Sequence, residues 1–161
     1  MGNAEILNVN SLSRYLLRSL VDPPRQSLYL TSDLHLGGDL KLRELREGGT
    51  DVTYDDSKLQ ILTLAMAVAR RRPGLRVNAV APGCVPTTMG FANGPHAPDD
   101  LRAGYQTQVW LAEGTEPGSR GTGGFFSTAN RKTTSTPRRA TPVEQDALLD
   151  AYARRTGVTL R

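Results

Sequence analysis

The sequence predicts an α/β fold in which a parallel sheet of about three strands is flanked by helices. Two patterns carry this expectation. Segments with apolar residues at helical spacing alternate with short strand-like runs, the order that builds layered α/β domains. One segment, 54–71, is apolar nearly all round, as expected of a helix that is buried or lies in an interface.

The elements follow in chain order. Ile6, Leu7, Val9, Leu12, Leu16, Leu17 and Leu20 sit mostly at helical spacing, and Asp22-Pro23-Pro24 ends that helix. Ser27 to Thr31 reads as a short strand. A charged, glycine-bearing stretch from Gly37 to Thr50 contains a short helix around Leu40 to Arg46. Tyr54 to Arg71 is the apolar helix, and Arg76 to Ala81 is a second strand stopped by Pro82-Gly83. A loop rich in Gly and Pro, from Pro86 to Pro98, precedes a helix opened by Asp99 and Asp100 and stopped by Gly114. Gly124 to Thr128 is a third strand. The polar run 130–140 reads as a linker, and Thr141-Pro142-Val143-Glu144 fits a capping box that starts a last helix within 141–161. Residues 1–129 then form the main body.

The chain has 161 residues, 38% of them hydrophobic and 6% aromatic, enough for one domain or a piece of a larger one. Its net charge is +4, yet many arginines stand where helices end: Arg70-Arg71-Arg72 before Pro73-Gly74, and Arg154-Arg155 before Gly157. There they complement helix dipoles. A nucleic-acid partner is not expected, because it calls for one basic stripe with interleaved aromatics. Cys84 is the only cysteine, so an intrachain disulfide is ruled out and a reducing compartment is favoured. The N-terminus lacks the pattern of a signal peptide, and no apolar run reaches a membrane span, so a soluble, cytoplasmic chain is expected.

Chemistry enters with Tyr54 and Lys58. Side chains four apart at the start of a helix share one face. Moving a phenol from a pKa of about 10 towards neutrality takes about 4 kcal/mol. One cation about 4 Å away, at an effective dielectric near 20, supplies roughly that much. The pair could therefore act as a proton donor and acceptor at cellular pH. Alone, Y-x-x-x-K is common in helices.

Several separate segments together resemble the short-chain dehydrogenase/reductase family. Tyr54-x-x-x-Lys58, with Ser57 before the Lys, matches its catalytic helix. Leu30-Thr31-Ser32 is similar to the strand end that presents the catalytic Ser. Asn78-Ala79-Val80-Ala81-Pro82-Gly83-Cys84-Val85-Pro86-Thr87 resembles the next strand and its cofactor loop. Val9-Asn10, followed by Leu16 and Leu20, resembles the helix carrying the active-site Asn. The ordered set covers nearly the whole chain. The long stretch from Ser32 to Tyr54, with His35 in it, is similar to the subgroup of retinol dehydrogenases and daunorubicin-type carbonyl reductases. On its own, His35 reads as a solvated loop histidine.

The resemblance implies a partial Rossmann-like three-layer fold and an NAD- or NADP-dependent interconversion of an alcohol with a ketone or aldehyde, of a hydrophobic substrate. It makes Tyr54 the acid/base and gives Lys58 the nicotinamide ribose. Ser32 becomes a donor to the carbonyl oxygen, and Asn10 the holder of a water that reaches Lys58. It lines the nicotinamide side with Pro82, Gly83, Val85 and Thr87, assigns no metal ligand, and sets the substrate lid around Gly90 to Gly94. Each residue also has a plain structural reading as strand end, surface helix position or loop. The glycine fingerprint that lets backbone approach a pyrophosphate at a helix N-terminus is missing. Gly118 to Gly124 leads into a strand and reads as a loop. The resemblance therefore implies the C-terminal portion of such a domain, with impaired cofactor binding. The alternative is a non-catalytic interaction module, a homo-oligomer formed through the helix at 55–71.

Overall fold

A computed structural model describes residues 2–22, 24–91, 97, 99–127, 130–133 and 140–160, with 130–133 described by backbone alone. The chain opens with an α-helical turn at Asn3–Ile6, a π-helical segment at Leu7–Leu12 and an α-helix at Ser13–Leu20. These run on without a break and are treated as one helix, α1, over residues 3–20. Strand β1 is Gln26–Leu30, followed by a 3-10 turn at Asp33–Gly37 and helix α2 at Leu42–Glu47. Helix α3 is Tyr54–Arg71 and strand β2 is Arg76–Ala81. Helix α4 is Leu101–Glu113, with a 3-10 turn at Pro117–Ser119. Strands β3, Phe125–Ser127, and β4, Asn130–Thr133, precede helix α5, Pro142–Thr156.

The sheet order is β1-β2-β3-β4, with β1, β2 and β3 parallel. This is the partial Rossmann-like α/β architecture expected from the sequence. A fourth strand departs from that expectation. Residues 130–133, read from the sequence as the start of a linker, pair antiparallel with β3 across a register shift. The pairing supplies the β3 edge with a partner that a polar sequence alone does not announce. The rest of that linker, apart from Ala140, lies outside the described residues, as do Thr128 and most of the expected lid loop.

Local chemistry sets the boundaries. The Thr53 hydroxyl accepts from the Asp56 N–H at 3.3 Å, and the Asp56 carboxylate accepts from the Thr53 N–H at 2.9 Å. This capping box fixes where α3 begins. The box at Thr141 and Glu144 does the same for α5. Gly114 and Gly157 close α4 and α5 in the left-handed region, at φ of 60° and 70°.

Helix α3 is the spine of the core. Leu59, Ile61, Leu62, Leu64, Ala65, Met66 and Val68 are all buried, packed by α1, α5, β1, β2 and the turn after β1. At the far end Arg70 and Arg71 both bind Asp146 of α5, Arg71 at 2.7 Å. Within the chain itself Leu62 is 1% exposed and Met66 6%. Among the described residues no helix is long and apolar enough to cross a membrane.

Candidate active site

The expected site residues gather around the first turn of α3 and the end of β1. Asn10 lies in the π-helical segment of α1, whose wide turn is a backbone irregularity often found at functional sites. Its amide Nδ2 donates to the Ser57 hydroxyl at 3.1 Å. Ser57 in turn donates to the Tyr54 carbonyl at 2.6 Å. A chain of two hydrogen bonds thus ties the π turn to the helix end that carries Tyr54.

Lys58 is half-buried. Its ammonium lies 5.0 Å from the centre of the Tyr54 ring, a cation–π contact, and reaches the Leu30 carbonyl at 3.4 Å. The pair meets as expected, but with the charge over the ring face. The electrostatic outcome differs from the sequence expectation. Burial first, and the Asp55 carboxylate second, hold the Tyr54 phenol above its ordinary pKa. Burial, then the Arg14 guanidinium, push Lys58 below its own. Desolvation disfavours both charged forms and is the largest cause of each shift.

Two neighbours escaped sequence reasoning. The Thr31 hydroxyl, buried at the end of β1, donates to the Lys58 carbonyl at 2.7 Å and fixes the strand end against α3. His35 is fully buried, where a solvated loop residue was expected. Its Nδ1 donates to the Ser32 carbonyl at 2.7 Å, and its ring packs on Phe125 at 5.1 Å. The 3-10 turn packs against α3, and His35 is enclosed there. A histidine three residues after a strand-ending serine was the available signal, because such spacing suits a turn closed by the ring. Ser32 is partly exposed, and its hydroxyl accepts from the Leu34 N–H at 3.3 Å.

The Thr31 N–H donates to the Val80 carbonyl at 2.9 Å, so Ser32 and Pro82 follow the carboxyl ends of adjacent parallel strands. Gly83 adopts φ 79°, turning the chain after β2 where a side chain would be strained. Cys84 and Asp99 then clamp the loop base: the Cys84 N–H donates to the Asp99 carboxylate at 2.6 Å, and the Asp99 N–H to the Cys84 carbonyl at 3.2 Å. Val85 packs on Gly104 of α4, where a Cβ would stand 2.6 Å from the valine methyl. The Thr87 hydroxyl is engaged by the Gly90 N–H at 3.1 Å. Asn10, Tyr54 and Lys58 are thus joined to the end of β1, while Pro82, Gly83, Val85 and Thr87 form a separate clamped loop on the neighbouring strand.

The dinucleotide fits these residues only in part. A pyrophosphate needs a helix N-terminus with free N–H groups. The N-termini of α3, α4 and α5 are each closed by the chain's own side chains, from Thr53, Asp100 and Thr141. The glycine string before β3 is structural: Asn78 accepts from the Gly124 N–H and donates to the Gly121 carbonyl, both at 2.9 Å. A Cβ on Gly124 would stand 2.5 Å from the Phe126 ring. The helices that begin at Asn3 and Leu42 start without a side-chain cap.

An open α/β sheet of Rossmann-like kind, with its polar cluster at the carboxyl ends of parallel strands, defines the class of protein. Similarity to known proteins narrows it. The chain is 31% identical over 159 residues to the short-chain dehydrogenase chry4 of Gibberella zeae, covering 94% of this chain and 60% of that one. It is 35% identical over 113 residues to the short-chain dehydrogenase chyC of Penicillium rubens, covering 66% and 43%. An uncharacterised oxidoreductase of Emericella nidulans is 36% identical over 96 residues, covering 58% and 36%. No protein-family profile and no solved structure matches. The chain belongs to the short-chain dehydrogenase/reductase family, and it spans about 60% of the length of its chry4 relative.

Proposed function

We propose that this chain carries the proton-transfer part of an NAD- or NADP-dependent oxidoreductase that interconverts an alcohol with a ketone or aldehyde. Tyr54 is the acid/base, Lys58 the cation beside it, Ser32 the donor to the substrate oxygen and Asn10 the brace of the helix end. The observation that carries the reading is the Lys58 ammonium 5.0 Å from the Tyr54 ring, held at the strand end by the Leu30 carbonyl. A hydrophobic carbonyl compound is the proposed substrate class, in keeping with the retinol dehydrogenase and carbonyl reductase subgroup.

The raised pKa of Tyr54 gives the reaction a direction in pH. The phenol keeps its proton throughout the neutral range and is ready to donate as charge builds on a carbonyl oxygen. Alcohol oxidation needs the phenolate, which is scarce below the raised pKa. Carbonyl reduction should therefore hold steady from neutral to mildly alkaline pH, while oxidation climbs with pH. Ser32 adds a second hydrogen bond to the same oxygen. The loop from Pro82 to Thr87 is proposed to meet the nicotinamide end of the dinucleotide.

The test follows from the half-formed cofactor site. The purified chain is given an aromatic ketone with either NADPH or reduced nicotinamide mononucleotide, which lacks the adenosine half. Consumption of the reduced nicotinamide is then followed by absorbance. The two donors are expected to serve about equally, and Tyr54→Phe should lower turnover roughly 10²- to 10⁴-fold. Turnover that ignores Tyr54→Phe, or no turnover with either donor at millimolar concentration, would sink the proposal.

A further inference from the structure

We infer that His35 is a positioning residue for Ser32: its buried imidazole holds the Ser32 carbonyl and so aims the serine hydroxyl at the substrate oxygen. The inference rests on the role proposed for Ser32, and its test can fail separately from that role.

The turn holds the serine at both of its polar ends. Ser32 is the N-cap of the 3-10 turn Asp33–Gly37, with extended backbone at φ −154° and ψ 155°. Its carbonyl accepts twice from His35, from the backbone N–H at 3.1 Å and from the ring Nδ1 at 2.7 Å. Its hydroxyl oxygen accepts from the Leu34 N–H at 3.3 Å. A hydroxyl that accepts in this way keeps its own proton to give. That is the polarity required towards a carbonyl oxygen on which negative charge builds.

His35 is the anchor of this turn. It is the one buried residue of Asp33–Gly37, while Leu34 and Leu36 are 55% and 49% exposed. The usual ranking of burial is inverted, with a histidine inside and two leucines out. A carbonyl only accepts, so Nδ1 carries the ring proton and Nε2 is the bare nitrogen of the neutral imidazole. Nε2 is buried and has no hydrogen-bond partner among the described residues. A leucine would fill the space without leaving a polar atom unpaired. What the imidazole adds over a leucine is the bond from Nδ1.

That bond has a fixed direction. The ring packs on Phe125 of β3, with centres 5.1 Å apart and planes at 60°, and Phe125 pairs with Ala79 of β2. The turn packs against α3. A donor locked by packing on rigid elements holds its acceptor more closely than a donor on a free loop. Sheet and helix thus set the place of Ser32 through one ring.

The experiment compares the whole chain with His35→Asn, His35→Gln and His35→Leu. The Asn amide sets a donor near the Nδ1 position, the Gln amide sets one near Nε2, and Leu supplies volume alone. Deuterium exchange of the Leu34 N–H, followed by NMR, reports whether the Ser32 hydroxyl stays in place. Turnover of an aromatic ketone with reduced nicotinamide mononucleotide reports what that placement does. His35→Leu and His35→Gln are expected to speed Leu34 exchange about fivefold. Both should lower kcat roughly tenfold and leave the KM for the nicotinamide unchanged. His35→Asn should restore most of both losses, and the Asn and Gln pair decides the matter even if His35→Leu does not fold. The inference is overturned if exchange and kcat ignore all three substitutions, if Asn loses as much as Gln, or if KM rises while kcat holds. A chain inactive before any substitution sinks the proposed oxidoreduction instead, and Leu34 exchange then decides the hold on Ser32.

Discussion

Helices α1 and α3 are in contact and put similar leucine-rich sequence to opposite use. In α3 the leucines are inside and the charges stand at the ends: Asp55 and Asp56 in the first turn, Arg70 and Arg71 in the last. In the second half of α1 the order is inverted, with Leu17 and Leu20 in solvent and Arg18 buried. The difference shows that apolar periodicity announces a helix without saying what lies against it. For α3 the chain supplies every neighbour. For this part of α1 the described chain leaves one side bare.

The contrast can be broken at its strongest point. Leu64→Ala removes a side chain 1% exposed in the α3 core and should cost about 2–5 kcal/mol in denaturant unfolding. A loss below about 1 kcal/mol would mean that α3 is less tightly enclosed than described. Alkali tests the same interior by another route. Burial is the largest cause raising the pKa of Tyr15, Tyr29 and Tyr152, and Tyr29 reaches about 12. Folded-state pKa values above the unfolded value of about 10 mean that the folded chain holds its phenolic protons longer. Stability should accordingly be level below about pH 10 and fall as pH rises beyond it, by up to about 1.4 kcal/mol per phenol for each pH unit above 10. Denaturant midpoints that stay flat to pH 11 would contradict the burial of these rings.

Smaller effects sharpen the picture. Thr53→Ala deletes half of the capping box and should cost about 1 kcal/mol, read as a lower melting temperature. An unchanged melting temperature would show that Asp56 alone holds the start of α3. At the open side, Leu17→Ser should move stability by no more than about 0.5 kcal/mol, because its side chain is already in water. A cost near that of Leu64→Ala would erase the distinction between the two helices.

Much of this was legible in the sequence. The span of α3, the stop of β2 at Pro82-Gly83 and the box at Thr141 follow from local chemistry that acts over a few residues. The meeting of Tyr54 with Lys58 follows from helix geometry alone. The burial of His35, the Thr31 tie to Lys58 and the pairing of 130–133 with β3 depend on which distant segments come together. The direction of the Tyr54 pKa was hidden for the same reason. Charge spacing can be read along a chain, but desolvation depends on what the fold stacks around the phenol.

The Leu30 carbonyl is the acceptor of the Lys58 ammonium, and the same ammonium lies over the Tyr54 ring. One cation thus ties the end of β1 to the first turn of α3, so a displacement of the strand end is felt at the phenol two elements away in sequence.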